Sequence, residues 1–267
     1  MSLAREVGDA EIAAAIGDWR AQGYAVIPGV AAAATLMGLR ERIDDLVAGR
    51  LPDPGLFFQP DTPSGRYEDL AFGHGWGGPD RDYRKIERLE RDPVYAAWMA
   101  NPLYRRIALR VLGPPVRLYR ATVFWKAAER GSDLPWHQDG GRFWGLDREP
   151  SLQLWLALDD ASVAAGALRV LPGSHLPGLA TPLGGIVPAD LVDAQQAETR
   201  AVDLPAQAGD LVLLHNHLWH RSGANRTARP RRGFTVCLLD GATRCTRKKR
   251  APREFPVLYD TGSVHAR

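Results

Sequence analysis

The chain has 267 residues, of which 45% are hydrophobic and 24% charged, a composition that excludes a disordered or fibrous protein. Its two cysteines, Cys237 and Cys245, are too few for a disulfide framework and lack the spacing of a thiolate zinc site. No apolar run approaches the roughly 18 residues of a membrane span, and residues 1–6 lack the hydrophobic core of a signal peptide. We therefore expect a cytoplasmic protein with no membrane partner.

The net charge of +3 is small. The basic residues are scattered along the chain except for one dense block, residues 247–250. We interpret this block as a solvated surface segment near the C-terminus. It is also the one feature that favours a nucleic-acid partner, which we do not expect on this evidence alone.

Residues 1–113 have the patterns of helices around one strand. Ile12, Ile16 and Trp19 recur at helical spacing, and a second apolar helical pattern covers 36–47. Residues 24–27 form a short strand pattern between these helices. Two Asx-Pro pairs predict the starts of two further short helices, at Asp92-Pro93 and Asn101-Pro102.

Residues 51–82 combine proline, glycine and aromatic side chains with no clear periodicity. A loop of this length is uncommon in a compact domain unless it covers a binding site or lacks order. We therefore predict a lid loop over 51–82, in which Phe57, Phe58 and Trp76 could border the entrance to a site.

After Gly113 the sequence changes to short runs rich in valine, leucine and aromatic residues, separated by Gly, Pro and Asp. Strands joined by long, non-helical connections predict an antiparallel sandwich or barrel. The predicted strands cover 116–126, 152–158, 167–171, 211–215 and 233–239.

The run 152–158 alternates cleanly, with leucine at every even position. Because successive side chains of a strand point to opposite faces, the leucines suit a core against helices. Gln153, Trp155 and Ala157 lie on the other face, which suits a barrel interior that holds something polar.

His137 and Asp139 form the sharpest local signal of the sequence. Residues two apart in a strand point the same way, so this pair presents an imidazole and a carboxylate side by side. With one more histidine, the pair would make the facial triad that holds Fe(II) and leaves open positions for substrate or oxygen. Three histidines are candidates for that third position: His215, His217 and His220.

Downstream of these histidines, the basic run 229–232 leads directly into the predicted strand 233–239. A guanidinium presented from this strand could bind a dicarboxylate through paired hydrogen bonds, which arginine favours.

An ordered set of segments carries a family resemblance. The set comprises residues 24–30, His137-Gln138-Asp139, Gly173-Ser174-His175, His220-x-Ser222-Gly223-x-Asn225-x-Thr227, and Arg231. With these segments the chain resembles the phytanoyl-CoA dioxygenase family of Fe(II)/2-oxoglutarate-dependent oxygenases over almost its whole length. The resemblance implies one domain with a double-stranded β-helix, or jelly-roll, core of the cupin type.

The resemblance also implies the boundaries within that single domain. Residues 1–113 would form a helical N-terminal part that carries the lid, 114–240 the jelly-roll core, and 241–267 a basic C-terminal tail.

By position in the family, the metal ligands are His137, Asp139 and His220. The arginine that binds 2-oxoglutarate lies eleven residues beyond the last ligand in the family, which corresponds here to Arg231. Arg232 is the alternative if the register differs by one residue.

Further cosubstrate contacts are implied for Gln138, Trp155, Lys85, Thr122 and Lys126. Thr122 departs from the family pattern, because relatives often carry methionine at this place. Trp155 and Lys85 could equally be a core aromatic and a surface lysine.

The implied cofactors are Fe(II), the cosubstrate 2-oxoglutarate and O2, and the implied reaction oxidises a small molecule with release of succinate and CO2. The substrate we expect is a natural product or its sugar moiety, hydroxylated or oxidatively cyclised. Two alternatives remain: a cupin-like metal-dependent isomerase or lyase, which would have no use for Arg231, and a non-catalytic binding protein, which would typically lose a member of the triad.

Overall fold

The computed structural model describes residues 2–71, 75–79, 82–248 and 253–261. Most of its helices lie in the first half of the chain, and two short ones follow later. The helices are α1 (Asp9–Gln22), α2 (Ala33–Val47), α3 (Pro93–Met99), α4 (Pro102–Leu112), α5 (Ala189–Ala194) and α6 (Ala197–Arg200), with short 3-10 turns at Tyr67–Asp69 and Leu89–Arg91.

Two antiparallel sheets form the rest of the fold. The strands are β1 (Tyr24–Ile27), β2 (Phe57–Pro60), β3 (Tyr83–Glu87), β4 (Val116–Lys126), β5 (Leu134–Gln138), β6 (Leu152–Ala157), β7 (Leu168–Val170), β8 (Gly185–Ile186), β9 (Val202–Leu204), β10 (Leu211–Leu214), β11 (His220–Ser222), β12 (Arg231–Asp240) and β13 (Val257–Tyr259). The major sheet has the order β1-β10-β6-β12-β4-β3-β2, with β13 also paired to β4, and the minor sheet has the order β8-β5-β11-β7-β9. The predicted jelly-roll core is confirmed.

The major sheet packs its outer face against the helices. Leu152, Leu154 and Leu156 of β6 are fully buried in one core with residues of α1 to α4, as their alternation predicts. Gln153 and Trp155 point to the opposite face and line a cavity on that side of the sheet. The two faces of one strand therefore separate the stabilising core from a partly polar interior.

The N-terminal part contributes more to the sheet than the sequence predicts. One strand is expected in residues 1–113, but the described residues of this part contain three. Strand β1 pairs with β10, and β3 joins β2 to β4. These strands are short and lie near proline and glycine, so local periodicity is a weak signal for them, and distant partners determine their pairing.

The predicted lid is therefore a strand over part of its length. Phe58 of β2 is 3% exposed and belongs to the core, whereas its neighbour Phe57 lines the cavity. Trp76 is exposed, and its Nε1 donates to the carbonyl of Val47 at 2.9 Å. Residues 72–74 and 80–81 lie outside the described residues. Of the three aromatic side chains proposed for the entrance, Phe57 alone lines the cavity.

The described part of the C-terminal segment is packed against the jelly roll. Strand β13 pairs with β4, and Tyr259 is buried with its hydroxyl donating to Met99 O at 2.7 Å. Arg247 lines the cavity and donates to Phe143 O at 2.9 Å, so at this residue the expected solvated tail contributes to the cavity wall. Among the described residues, no helix is long and apolar enough to cross a membrane.

Candidate active site

Three potential metal-binding side chains meet where β5 faces β11. His137 and His220 are directly paired across these strands, with ring centroids 3.9 Å apart. Asp139 follows β5 immediately, and its Oδ2 lies 3.7 Å from Nε2 of His220. One ligand atom from each of the three side chains lies within 4.8 Å of the others. The strand pairing therefore brings together residues that are more than 80 positions apart in sequence.

Backbone carbonyls orient both imidazoles. Nδ1 of His137 lies 2.9 Å from Pro135 O, and Nδ1 of His220 lies 2.9 Å from Leu218 O. A carbonyl can only accept, so Nδ1 is the protonated nitrogen in each ring. The lone pair of each Nε2 is then free for a metal ion, which is the usual arrangement of histidine ligands.

Hydrogen bonds fix Asp139 through both its backbone and its side chain. Its backbone N–H donates to Asn216 O at 2.8 Å, and its Oδ2 accepts a hydrogen bond from Gln153 Nε2 at 2.8 Å. Gln153 comes from β6, which belongs to the other sheet. The carboxylate therefore depends on contacts that span the jelly roll.

The protonation states suit metal binding. Burial, together with the charge of His220, lowers the pKa of His137 to about 3. Burial by itself would raise the pKa of Asp139, but His137, His220 and the Gln153 hydrogen bond outweigh it and hold that pKa below its ordinary value. At neutral pH, His137 is therefore neutral and Asp139 is ionised.

This donor set fits Fe(II). Two neutral imidazoles and one carboxylate on one side of a cavity are the ligands of non-haem iron oxygenases, in which the remaining positions stay open. His215 and His217 face elsewhere: His215 Nδ1 accepts from the backbone N–H of His217 at 3.0 Å, and His217 Nε2 lies 3.4 Å from Glu149 Oε2. Of the three candidate histidines, geometry brings His220 to the pair.

A cavity opens beside the triad. Its volume of about 330 Å3 is within the usual range for a small-molecule site. Its walls are the inner faces of the two sheets. Its charged lining residues are Arg84, Lys85, Arg120, Lys126, Asp139, Arg231 and Arg247.

Arg231 begins β12 and is 3% exposed. Its Nη2 donates to Gly166 O, whereas its Nε has no hydrogen-bond partner among the described residues. Burial lowers the pKa of Arg231 to about 10, and Asp159 offsets this in part. A buried guanidinium with an unused donor costs free energy unless an anion binds it, so this site suits a carboxylate.

Lys126 lies directly opposite Arg231 across β4 and β12. Its Nζ donates to Ser132 O at 2.5 Å. Burial and the charge of Arg231 lower the pKa of Lys126 well below its ordinary value. Two basic side chains therefore meet at this end of the cavity, and an anion bound between them would favour the charged form of both.

The remaining predicted cosubstrate contacts differ in what they offer a ligand. Trp155 is 4% exposed and lines the cavity, so it is not merely part of the outer core. Lys85 also lines the cavity, but its Nζ forms an ion pair with Glu87 at 2.6 Å. Thr122 lies on the inner face of β4 between the cavity-lining Arg120 and Phe124, without itself lining the cavity.

Gln138 also lines the cavity, but hydrogen bonds to the protein occupy its amide. Nε2 donates to Gly178 O at 2.9 Å and to His217 O at 2.6 Å, and Oε1 accepts from Ala180 N at 2.7 Å. Its evident contribution is to fix the loop 178–180 against β5.

Sequence reasoning missed several side chains of the site, and three of them lie close to the predicted site residues. Gln153 holds Asp139, Ser222 lines the cavity two residues after His220, and Thr235 lines it opposite Thr122. The alternation of β6 already places Gln153 on the inner face, and the same spacing argument could have identified Ser222. Thr235 Oγ1 and Thr122 Oγ1 are both buried without a hydrogen-bond partner in the described chain.

Comparison with known proteins identifies related sequences. The sequence model of the phytanoyl-CoA dioxygenase (PhyH) family matches residues 19–233. A phytanoyl-CoA dioxygenase of Arabidopsis thaliana is 25% identical over 247 residues, which cover 83% of this chain and 86% of that protein. An L-proline trans-4-hydroxylase of Streptomyces griseoviridis is 28% identical over 196 residues, 65% of this chain and 71% of that protein.

Solved structures share the fold. The epimerase SnoN, in complex with Fe3+, alpha ketoglutarate and nogalamycin RO, has a TM-score of 0.70 at 19% identity, covering 94% of this chain and 100% of that one. EctD from S. alaskensis, with 2-oxoglutarate and 5-hydroxyectoine, has a TM-score of 0.69 at 19% identity, covering 90% of this chain and 78% of that one.

The jelly roll and its His-Asp-His site, together with the family match, place the chain among the Fe(II)/2-oxoglutarate-dependent dioxygenases. The chain belongs to the phytanoyl-CoA dioxygenase family, as its sequence resemblance implies. Its cofactors are accordingly Fe(II) and 2-oxoglutarate.

Proposed function

We propose that this protein uses Fe(II), 2-oxoglutarate and O2 to hydroxylate or oxidatively cyclise a small-molecule substrate. In this proposal His137, Asp139 and His220 bind the metal, and Arg231 binds the far carboxylate of 2-oxoglutarate. One observation supports it above others: a single cavity contains both the metal-binding triad and a buried guanidinium with an unused donor.

When bound, the iron would activate O2 as the oxidant, and 2-oxoglutarate would supply two of the electrons that reduce it as it is converted to succinate and CO2. The protein supplies position and shielding. His137 and His220 present Nε2 because carbonyls hold their Nδ1 protons, and Gln153 fixes Asp139.

At the other end of the cosubstrate, Arg231 Nε and Nη would pair with the carboxylate oxygens. Lys126 adds a second positive charge beside them, which lowers the cost of burying a dianion. Trp155, from the neighbouring strand, would cover the aliphatic part of 2-oxoglutarate.

Three further residues would support the cosubstrate less directly. Thr122 would act only from behind the cavity wall, which it does not itself line, and Lys85 would contribute through charge while it pairs with Glu87. Gln138 would act by holding the loop 178–180, because its amide is already bound to the protein.

For the substrate, we propose a small natural product or its sugar moiety. The relatives include a carbocyclase, SnoK, and an epimerase, SnoN, both from nogalamycin biosynthesis, as well as a proline hydroxylase. Cavity-lining aromatic side chains such as Phe57, Phe143 and Trp144 would pack against rings of such a molecule.

A cupin-like isomerase or lyase would use the same triad without 2-oxoglutarate. Anaerobic titration with Fe(II) and then 2-oxoglutarate separates the two functions. We expect the visible charge-transfer band that 2-oxoglutarate gives when it chelates iron, and we expect it to require both His220 and Arg231 at moderate cosubstrate concentration.

Metal binding without this band would contradict the proposal and favour the isomerase or lyase. The matched control is His217→Ala, which removes a nearby imidazole that faces Glu149 instead of the triad.

A further inference from the structure

The cavity has a marked excess of positive charge. Six cationic side chains line it, and Asp139 is the one carboxylate among its described lining residues. The proposed function accounts for part of this excess, since Arg231 and Lys126 would bind 2-oxoglutarate and Asp139 would bind iron. The remaining cations require another explanation.

On the cavity wall formed by β3 and β4, one carboxylate forms ion pairs with two cationic side chains. Oε1 of Glu87 lies 2.6 Å from Lys85 Nζ and 3.3 Å from Arg120 Nη1. No described ion pair includes Arg84, which lines the same cavity one residue before Lys85. Arg84 therefore lacks a direct counter-ion within the described residues.

The contacts of Arg84 are with neutral groups. Its Nη1 donates to Gln59 Oε1 at 3.2 Å, and its guanidinium lies 5.5 Å from the centre of the Tyr67 ring. The two contacts hold the guanidinium against the β2 side of the cavity. An arginine held in this way keeps further N–H donors for a ligand.

The electrostatic environment of Arg84 is that of an unsatisfied cation. Burial lowers its pKa, and the more distant charges of Asp61 and Asp133 only partly offset this. Arg232 shows the contrast: burial alone would lower its pKa, but its ion pairs with Asp159 and Asp44 raise it above the ordinary value. An anionic ligand would stabilise the charged form of Arg84 in the way that these two carboxylates stabilise that of Arg232.

We propose that Arg84 binds an anionic group of the substrate, so that this enzyme acts on a small molecule that carries a carboxylate or a phosphate. The inference rests on the proposed function, because it assigns another cavity guanidinium without a described ion pair, Arg231, to 2-oxoglutarate. A planar guanidinium pairs with either oxyanion through two hydrogen bonds, which fixes the orientation of the ligand as well as its affinity. Phe57 and Phe124, in the same cavity, would contact the apolar body of that molecule.

The test uses the full chain with Fe(II) and saturating 2-oxoglutarate under anaerobic conditions. Benzoate, phenyl phosphate and neutral benzamide are titrated calorimetrically into the wild type, Arg84→Gln, Arg84→Lys and Arg66→Gln. Arg66→Gln is the matched control, because it makes the same change at a side chain that is 66% exposed and lies next to Tyr67.

We expect at least one of the two anions to bind the wild type and Arg66→Gln, and to bind Arg84→Gln at least tenfold more weakly. The charge-retaining Arg84→Lys should recover part of the affinity, and benzamide should not distinguish the variants. The preferred anion identifies the group as a carboxylate or a phosphate.

Equal anion binding by the wild type and Arg84→Gln would overturn this inference, and so would the absence of anion binding by the wild type. It would also be overturned if Arg84→Gln lost 2-oxoglutarate affinity as severely as Arg231→Ala, since Arg84 would then belong to the cosubstrate site. Failure of the proposed function is distinguishable, because the charge-transfer band would already be missing from the wild type before any probe is added.

Discussion

Arg231 and Arg232 are neighbours on β12, yet their guanidinium groups lie on opposite sides of the major sheet. Arg231 points into the cavity and contacts Gly166 O. Arg232 points outward, where its Nη1 lies 2.7 Å from Asp44 Oδ1 and its Nε lies 2.7 Å from Asp159 Oδ2. Adjacent residues of a strand alternate between faces, so one basic run supplies both a free guanidinium and a structural ion pair.

Arg231→Ala should raise the concentration of 2-oxoglutarate required for half-maximal activity by two orders of magnitude or more. The reason is that one end of a buried dicarboxylate would lose its partner, which costs about 3–5 kcal/mol. Arg231→Lys should restore only part of the affinity, because lysine lacks the planar pair of donors.

The comparison for that experiment is Arg232→Ala. It should leave the 2-oxoglutarate requirement nearly unchanged and lower the melting temperature, because Asp44 and Asp159 would both lose an ion pair and the mostly buried Asp159 would keep only Arg40. If Arg231→Ala kept the wild-type requirement, the assignment of Arg231 would fail.

His220→Ala, His137→Ala and Asp139→Ala should each abolish high-affinity Fe(II) binding, because each removes one of three ligands. His217→Ala should retain it, because that imidazole contacts Glu149. Equilibrium dialysis with Fe(II) under anaerobic conditions measures the difference, and circular dichroism checks the fold. Equal loss of iron in His217→Ala and His220→Ala would show that the third ligand is misassigned.

Gln153→Met should weaken Fe(II) binding by about 10–100-fold, a common cost when a partner that orients a metal ligand is lost. Methionine keeps most of the volume of the side chain but cannot donate to Asp139 Oδ2. The variant should fold normally and keep all three metal-ligating side chains. Unchanged iron affinity would mean that Asn216 and the strand geometry suffice to hold the carboxylate.

Gly233→Ala should block the cosubstrate end of the cavity. A Cβ at Gly233 would lie 2.3 Å from the Trp155 ring, so the indole would have to move from its position. We expect at least a tenfold loss of 2-oxoglutarate affinity, measured by titration of the charge-transfer band, with retained Fe(II) binding.

Gly17→Ala, in α1, is the steric control, because a Cβ there meets no atom within 4 Å. It should leave both affinities unchanged and stabilise the helix slightly. Normal 2-oxoglutarate binding by Gly233→Ala would show that Trp155 can shift without consequence for the site.

Much of the major sheet could be predicted because its strands carry strong local patterns. The predicted run 116–126 matches β4, and the alternation of 152–158 correctly separates the leucine face of β6 from the face with Gln153 and Trp155. Both strands are rich in apolar residues and flanked by turn residues, so propensity and burial agree in each. The position of Phe58 in the core could not be predicted, because the pairing of β2 with β3 depends on residues far along the chain.

Within the site, the sequence determined which chemistry the chain offers: the spacing of His137 and Asp139, and the family positions of His220 and Arg231. Tertiary structure alone decided how each polar atom is used. The pairing of β5 with β11 brings His220 to His137, hydrogen bonds to loop carbonyls occupy the Gln138 amide, and Arg84 has no direct counter-ion among the described residues. The reason is physical: a residue type fixes the donors and charges that a side chain can present, whereas burial and partners from distant strands fix which of them remain free for a ligand.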